Sequence, residues 1–531
     1  MNMPRRRHPN QLGGAILPVA PGGEMGAPPA QSRPELRPQT KGSTKGITAS
    51  AFAWLERCER RLWLDMHGDA AQKAPASPTG QALARAGIAH EHAVGAGANV
   101  GAIVERVPAD LPPSERRQIT DDLMRAGVPV IEQGLLLARI DARYLLIAQP
   151  DRLELRDAPS RLGAWSYAPI EIKMKRGSTD DARLQLDVAL WLLHTNFGMA
   201  AEGELWRGAD AEGRPTVEKR AFDPAAIPAA LDRLRALHGA PVAPPVWFVE
   251  DCGVCPWAAW CLHEAREHDD LARLPGLKRA TAEALRAQGT TTVHDLARLS
   301  PPAVARLPQA GPKTAPALVH AAGALATGEP FWHAHARDPL PPLGLVFDLE
   351  TDLGDREPWG WGWATGEDDM TLVLCAGNRD LATLDVDGTT VVIVPARPAA
   401  WAAFDAATRR VAGCCAHWGD FDAKVIADKA PPAVRTTLEP RLFDADHAMR
   451  ERVTPPLERT SGETIGLKGL GTWLGVTWPE GVGSGVAAVD VFERWRAHGD
   501  SADLARLVAY QRADLVATLR AWHWLADHCA A

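Results

Sequence analysis

At 531 residues the chain is too long for a single hydrophobic core, and roughly three or four domains are expected. It is 46% hydrophobic and 23% charged, without an apolar run of membrane-spanning length or the apolar stretch of a secretory signal, so a globular, cytoplasmic, mixed α/β protein is expected. A net charge of -8 excludes a uniformly basic nucleic-acid coat, though not local basic patches, and 8 cysteines in so large a chain suit metal ligation better than a disulfide framework.

Residues 1–46 are rich in Pro, Gly and Arg and lack any helical or strand period. They hold 7 Lys and Arg against 2 Glu, a balance of +5, and read as a disordered, solvated arm. Order begins at ITASAFAWLERCERRLWL, where Thr48 or Ser50 can cap a helix. Phe52, Leu55, Cys58 and Leu62 share the inward stripe of that helix. An inward cysteine alone is more often a small core residue than a ligand. The downstream run DCGVCPWAAWC supplies Cys252, Cys255 and Cys261, and with Cys58 these four thiols suit tetrahedral Zn²⁺ or a [4Fe-4S] cluster equally by ligand chemistry.

Between the cysteines, RAGIAHEHAV places His90 and Glu91 on a helix, and GLLLARIDARYLLIAQPDRLEL reads as a strand, a turn at Asp141-Ala142 and a further strand ending at Pro150-Asp151. In WSYAPIEIKMKRG the alternation puts Glu171 and Lys173 on one strand face and Ile172 on the other. Asp151 and Glu171 can share Mg²⁺ or Mn²⁺, which lowers the pKa of a bound water, while Lys173 orients the nucleophile or stabilises charge on a phosphate. Glu-x-Lys alone is usually an ion-paired strand surface. The preceding Pro-Asp, His90, and the following helix with Gln185 favour the catalytic reading.

From about 47 to 264 these motifs resemble the RecB-type PD-(D/E)xK nucleases, especially the branch with a four-cysteine iron–sulfur cluster found in CRISPR adaptation exonucleases and AddB-like helicase–nucleases. The resemblance implies that His90 completes the metal site, Asp151 and Glu171 are its acidic ligands, Lys173 is the catalytic lysine, and Gln185 is the polar residue of the next helix. It also favours iron–sulfur over zinc at Cys58, Cys252, Cys255 and Cys261. A cluster there would clasp the first helix to the end of the domain, closing a loop of roughly 200 residues. Where the family often carries Tyr four residues after the Gln, this chain has Ala189.

A near-repeat follows, LARLPGLKRATAEAL and VARLPQAGPKTAPAL, offset by 33 residues. It resembles two helix-hairpin-helix units, in which backbone N–H groups of a Gly-containing hairpin meet a phosphate without reading sequence. Gly276 with Lys278 and Arg279, and Gly311 with Lys313, are the candidate DNA contacts; a helical spacer packing two domains together is the alternative.

After the Pro-rich DPLPPLG, the strand LGLVFDLETD projects Asp348 and Glu350 from one face. Asp422 follows in CCAHWGDFDAKVI, with Asp420 as the alternative, and AYQRADLVATLRAW sets Tyr510 and Asp514 four apart on one helix face. Four such acids suit a two-metal phosphodiester site with Tyr510 orienting the attacking water. This half resembles the DEDD exonucleases of tyrosine subtype with the RNase H fold, and the order of parts resembles a bacterial group fusing a RecB-like nuclease to an RNase H-like one. His417 beside Trp418 reads as a packing or hydrogen-bonding residue, and Trp359, Trp361 and Trp363 alternate as one sheet face would. Cys375, Cys414, Cys415 and Cys529 lack ligand spacing and read as ordinary thiols.

The expected organisation is an arm at 1–46, a PD-(D/E)xK nuclease domain at 47–268, hairpin units at 269–328 and an RNase H-like domain at 340–531. Two function classes remain open. One is a metal-dependent DNA exonuclease with two sites, serving DNA repair and recombination or mobile-element defence, with RNA as an alternative substrate of the C-terminal half. The other is a nucleic-acid-binding scaffold with one or both sites inactive. The chain lacks a Walker A pattern, so unwinding would come from a helicase partner.

Overall fold

The computed structural model describes residues 45–529 except 100, 141–143, 175–179, 200–201, 209, 211–212, 335–337, 378, 380–381 and 462–465. The expected arm up to residue 44 and the Asp141-Ala142 turn therefore lie outside the described residues. Lys45–Thr48 already forms a strand, pairing in parallel with Tyr144–Ala148, so regular structure begins just before the expected boundary.

The N-terminal region is built on a six-stranded sheet in the order Val104–Arg106, Val130–Glu132, Arg152–Arg156, Ser166–Lys173, Gly203–Arg207, Thr216–Arg220. Tyr167, Ala168, Ile170 and Ile172 are all buried in the central Ser166–Lys173 strand, the pattern of a strand covered on both faces. The Asp180–Phe197 helix packs against it through Leu186, Val188, Ala189 and Leu192. Ala189 is wholly buried, so the position where the resembled family often has Tyr faces the core here, where a ring would overpack it.

The single helix expected through Cys58 is two helices, Ala49–Arg57 and Glu59–His67. Thr48 caps the first, accepting the Ala51 N–H at 3.1 Å. Cys58 itself is extended, with φ -162°, and its sulfur accepts the Arg61 N–H at 3.4 Å, as a serine would at an N-cap. This break takes the thiol off the helical stripe and lets it face the Cys252–Cys261 segment.

In the middle region, each repeat unit opens with one short turn of helix, Leu271–Arg273 or Pro301–Val304, followed by a hairpin and a longer helix, Arg279–Ala287 or Thr314–Thr327. Leu274, Leu277, Leu285, Leu307, Ala310 and Leu318 from both units form one core. The Thr281 hydroxyl donates to the Pro308 carbonyl at 2.6 Å, joining the first helix to the second turn. Gly276 takes the left-handed conformation, φ 74°, that a tight turn requires. In the second unit that conformation falls on Gln309, φ 56°, the position 33 residues on, and not on Gly311.

The C-terminal region is a seven-stranded mixed sheet in the order Ala382–Val386, Thr389–Val394, Asp369–Cys375, Pro358–Gly366, Leu343–Thr351, Cys414–His417, Leu442–Asp444. The long Ser501–Cys529 helix packs along it, with seventeen buried residues that include Tyr510, Gln511 and Asp514. The three tryptophans of PWGWGWA do not share a face. Pairing with Leu343–Thr351 slips between Glu350 and Thr351, opposite Gly360 and Pro358, leaving Trp359 as a bulged residue. Trp359 stacks on Phe492 at 4.1 Å, while Trp361 meets Trp401 edge-on at 5.4 Å in a different core cluster.

Side-chain contacts link the last region to the first and to the middle one. The Pro78–Ala98 helix meets Gly485–His498 through the Thr79 and Ser484 hydroxyls at 2.7 Å and a two-pronged Arg85–Asp490 pair at 3.0 and 2.7 Å. Glu458 bonds Arg266 at 2.7 Å and Arg273 at 3.0 Å, and the buried Arg459 donates to the Leu277 carbonyl at 3.1 Å. No described helix is long and apolar enough to cross a membrane.

Candidate metal and active sites

The two strand-borne acids of the C-terminal region, Asp348 and Glu350, point to one face because side chains alternate along a strand. Asp514 reaches them from the Ser501–Cys529 helix, and Asp348, Glu350 and Asp514 each offer an oxygen within 4.8 Å of the others. Asp422, in the first turn of the Phe421–Lys429 helix, is buried beside them and accepts the Leu349 N–H at 2.9 Å. Asp420 is exposed and paired with Lys424, so Asp422 is the middle acid that the fold brings in. Trp478 donates its indole N–H to Asp514 at 2.8 Å. His417 is buried and bonds the Gly419 carbonyl at 2.7 Å, a structural role.

Burial and mutual repulsion push these acids up. Asp348 rises to about 7 through burial and the nearby Asp514. Glu350 and Asp422 rise well above the carboxylate range through burial and then Asp348, and Asp514 rises through burial. Hard, converging oxygen donors that cannot all ionise unaided fit Mg²⁺ or Mn²⁺. The adjoining cavity, about 400 Å³, is lined by Asp348, Asp422, Lys468, Tyr510 and Asp514 among others.

The glycines of PWGWGWA give this cluster its room. A Cβ at Gly362 would lie 2.8 Å from the Gln511 side chain, whose amide donates to Asp348 Oδ2 at 2.5 Å and to the Asp348 carbonyl at 3.2 Å. A Cβ at Gly360 would lie 3.1 Å from Glu350 Cβ. Gln511 went unnoticed in the sequence, although it follows Tyr510 directly; Lys468 carried no local signal beyond its place in GLKGL.

In the N-terminal region the fold brings Asp151, Glu171 and Lys173 together at one end of the sheet. Asp151 Oδ2 accepts the Ile172 N–H at 2.6 Å, and Lys173 Nζ donates to Glu171 Oε2 at 2.8 Å. Glu91 also faces them: burial and then Asp151 lift it to about 7, and burial, with Asp151 beside it, lifts Glu171 to about 7. Burial opposes the charge of Lys173, yet Glu171 and Asp151 outweigh it and hold the ammonium protonated. Asp151 is likewise raised by burial.

His90, one residue before Glu91, keeps its Nε2 buried without a hydrogen-bond partner among the described residues, and burial lowers its pKa. Gln185 is half-buried on the Asp180–Phe197 helix and is not among the described residues that hydrogen-bond Asp151, Glu171 or Lys173. Gln133 is. Its amide donates to Glu91 and accepts from Gln149, it also bonds Asp151, and its backbone is left-handed, φ 57°. A non-glycine residue held in that region beside functional groups marks stored strain.

Cys58, Cys252, Cys255 and Cys261 face one another. Burial pushes Cys252 to about 12, with Cys58, Cys255 and Cys261 adding to the rise, and Cys255 and Cys261 are raised chiefly by burial. N–H groups of Arg61, Val249 and Arg60 point at the sulfurs of Cys58, Cys252 and Cys261 at 3.4, 3.3 and 3.4 Å. Among the described residues, Asp348, Glu350 and Asp514 are the group whose ligand atoms lie within 4.8 Å of one another, and the four thiols do not form such a group. At the hairpins, Lys278 and Lys313 stand at the helix N-caps, with Gly276, Arg279 and Lys313 exposed and Gly311 half-buried.

Residues 393–526 match a family model of the RNase_H superfamily. The matched segment contains Asp422, Lys468, Tyr510 and Asp514 and begins after the strand carrying Asp348 and Glu350. The chain therefore carries an RNase H-like domain within a mixed α/β architecture. No curated protein matches the chain.

Proposed function

We propose that the protein is a metal-dependent nuclease, a DNA exonuclease with two phosphodiester-hydrolysing sites. The observation that carries this reading is the convergence of Asp348, Glu350 and Asp514, with Asp422 beside them, inside an RNase H-like domain. In this reading the four acids hold Mg²⁺ or Mn²⁺, which supplies a nucleophilic water and neutralises charge on the phosphate. Tyr510 orients that water. Burial and the neighbouring Glu350 push its phenol far above its ordinary pKa, so it works as a neutral hydroxyl and not as a base.

At the N-terminal cluster Asp151 and Glu171, with Glu91 or His90, are the ligand set, and Lys173 supplies fixed positive charge where the phosphate would sit. Cys58, Cys252, Cys255 and Cys261 hold a [4Fe-4S] cluster as a clasp in this reading, and the hairpins at Gly276 and Gly311 track the phosphate backbone without reading bases. Anaerobically prepared protein should then be brown; colourless protein with stoichiometric zinc would remove the cluster.

The test is Mg²⁺- or Mn²⁺-dependent degradation of end-labelled single- and double-stranded DNA by wild type, Lys173→Ala and Asp348→Ala. Metal-dependent cutting by wild type, reduced by each variant, supports two working sites. Binding without cutting identifies a scaffold. Loss confined to Asp348→Ala leaves the first cluster structural or dependent on a partner such as a helicase, and RNA outcompeting DNA reassigns the substrate of the C-terminal domain.

A further inference from the structure

Lys468 stands in the short Leu467–Trp473 helix, on the wall of the cavity at the C-terminal acid cluster. Its ammonium donates to the Gly483 carbonyl, lies 3.5 Å from the Tyr510 hydroxyl and sits 4.7 Å from the centroid of the Tyr510 ring. An ammonium has three donors and no acceptor, so the phenol oxygen can only accept from it. The phenol proton must then point elsewhere, and the partner that receives it is Asp514. A 3.5 Å contact is long for a hydrogen bond, but such contacts tighten when an active site fills, and the ring contact adds a cation–π attraction.

The same ammonium holds a second element. Gly483 precedes Ser484, the N-cap of Gly485–His498, whose hydroxyl accepts the Ala487 N–H at 3.3 Å. A Cβ at Gly485 would lie 3.6 Å from Glu350 Oε2. The turn that Lys468 grips is therefore the wall beside Glu350. Burial lowers the pKa of Lys468 while Asp514, Glu350 and Asp348 oppose that fall, so the acids themselves favour its charged, gripping form.

We propose that Lys468 is a positioning residue of this site: by bridging the Gly483 carbonyl and the Tyr510 hydroxyl it fixes the direction in which that hydroxyl meets the attacking water. The inference rests on the nuclease reading of the preceding subsection. A lysine acting only as bulk positive charge would weaken cation binding by the acids and would act independently of Tyr510. A lysine acting through Tyr510 would do neither.

The experiment measures kcat and KM on end-labelled DNA in a Lys173→Ala background, which silences the other cluster, for Lys468→Met, Lys468→Arg, Tyr510→Phe and Lys468→Met/Tyr510→Phe. Mn²⁺ binding is titrated in each. Lys468→Met should lower kcat by about 10²-fold, within the range of a misplaced acid–base or orienting group, with KM and Mn²⁺ affinity changed less than about 3-fold. Lys468→Arg should recover part of the loss. The double variant should be no slower than the slower single one.

Multiplying losses in the double variant, or clearly tighter Mn²⁺ binding in Lys468→Met, would overturn the proposal in favour of an independent charge. Cleavage that Asp348→Ala abolishes but Lys468→Met leaves intact overturns the proposal alone. Absence of metal-dependent cleavage in the Lys173→Ala background removes the nuclease reading of this domain, and the proposal with it. Should Lys468→Met fail to fold, Lys468→Gln takes its place with the same expectations.

Discussion

In the N-terminal cluster Glu91, Asp151 and Glu171 share a cation supplied by the chain, Lys173, 2.8 Å from Glu171. In the C-terminal cluster Asp348, Glu350, Asp422 and Asp514 face Lys468, whose ammonium is already engaged by Gly483 and Tyr510. Each cluster sets a single lysine against its acids, three in the first and four in the second, so the second leaves more negative charge for mobile cations to neutralise. Two acid clusters in one chain can therefore differ in cation demand even when they perform the same chemistry. The C-terminal cluster should depend more steeply on divalent cation concentration.

The largest effect is expected on removing a ligand from the cluster with four acids. Asp348→Asn should cost on the order of 10³-fold in the cleavage that remains in a Lys173→Ala background, several kcal/mol of barrier, read on end-labelled DNA. A loss under tenfold would show that the four acids are not a working set. Next in size is the effect expected if the four cysteines hold a metal as proposed. Cys252→Ser should lower unfolding stability by about 3 kcal/mol in urea titrations, the scale of losing a link that closes a long loop, together with loss of the bound metal.

A third measurement sharpens the charge argument itself. Glu171 has its folded-state pKa raised from 4.5 to about 7, so the folded protein holds this proton more tightly than the unfolded chain does. Its contribution to stability is present below pH 4.5 and is lost as pH rises to about 7. Metal-free Glu171→Gln should therefore gain on wild type between pH 5 and pH 8, by about 2 kcal/mol in denaturant titrations. Mn²⁺ should reverse the order, because only the wild-type carboxylate then holds the cation. No gain at pH 8 would mean that Lys173 already compensates Glu171 fully.

The smallest expected effect concerns Gln133. Gln133→Gly should relieve the left-handed backbone and raise stability by about 1 kcal/mol in the same titrations. It should also lower N-terminal cleavage about tenfold, measured in an Asp348→Asn background, because Glu91 and Asp151 lose their common hydrogen-bond partner. Unchanged cleavage would make the strained residue a folding feature only.

What could be read in the sequence was what local periodicity determines. Asp348 and Glu350 share a face because strands alternate, and Tyr510 and Asp514 are neighbours because helices repeat, so these two local pairs were legible before any tertiary contact was known. The same holds for Glu171 and Lys173. Gln133, Gln511 and Lys468 were not legible, since each acquires its place from a turn or a helix packed by distant parts of the chain. The bulge at Trp359 reversed a face that simple alternation had assigned, and the break at Cys58 appeared only where a sulfur took over a capping role. At the second hairpin the left-handed residue is Gln309, the position that repeat register pairs with Gly276, which residue type alone would not have picked out.

The Pro78–Ala98 helix carries Glu91 in its second half and, near its start, rests Thr79 on Ser484, the cap of the helix that begins beside Glu350. Thr79 and Glu91 are twelve residues apart on this helix, so about 18 Å of continuous rod separates them at 1.5 Å per residue. One rigid element thus carries an acid of the first cluster and also rests against the cap of the helix that begins beside the second.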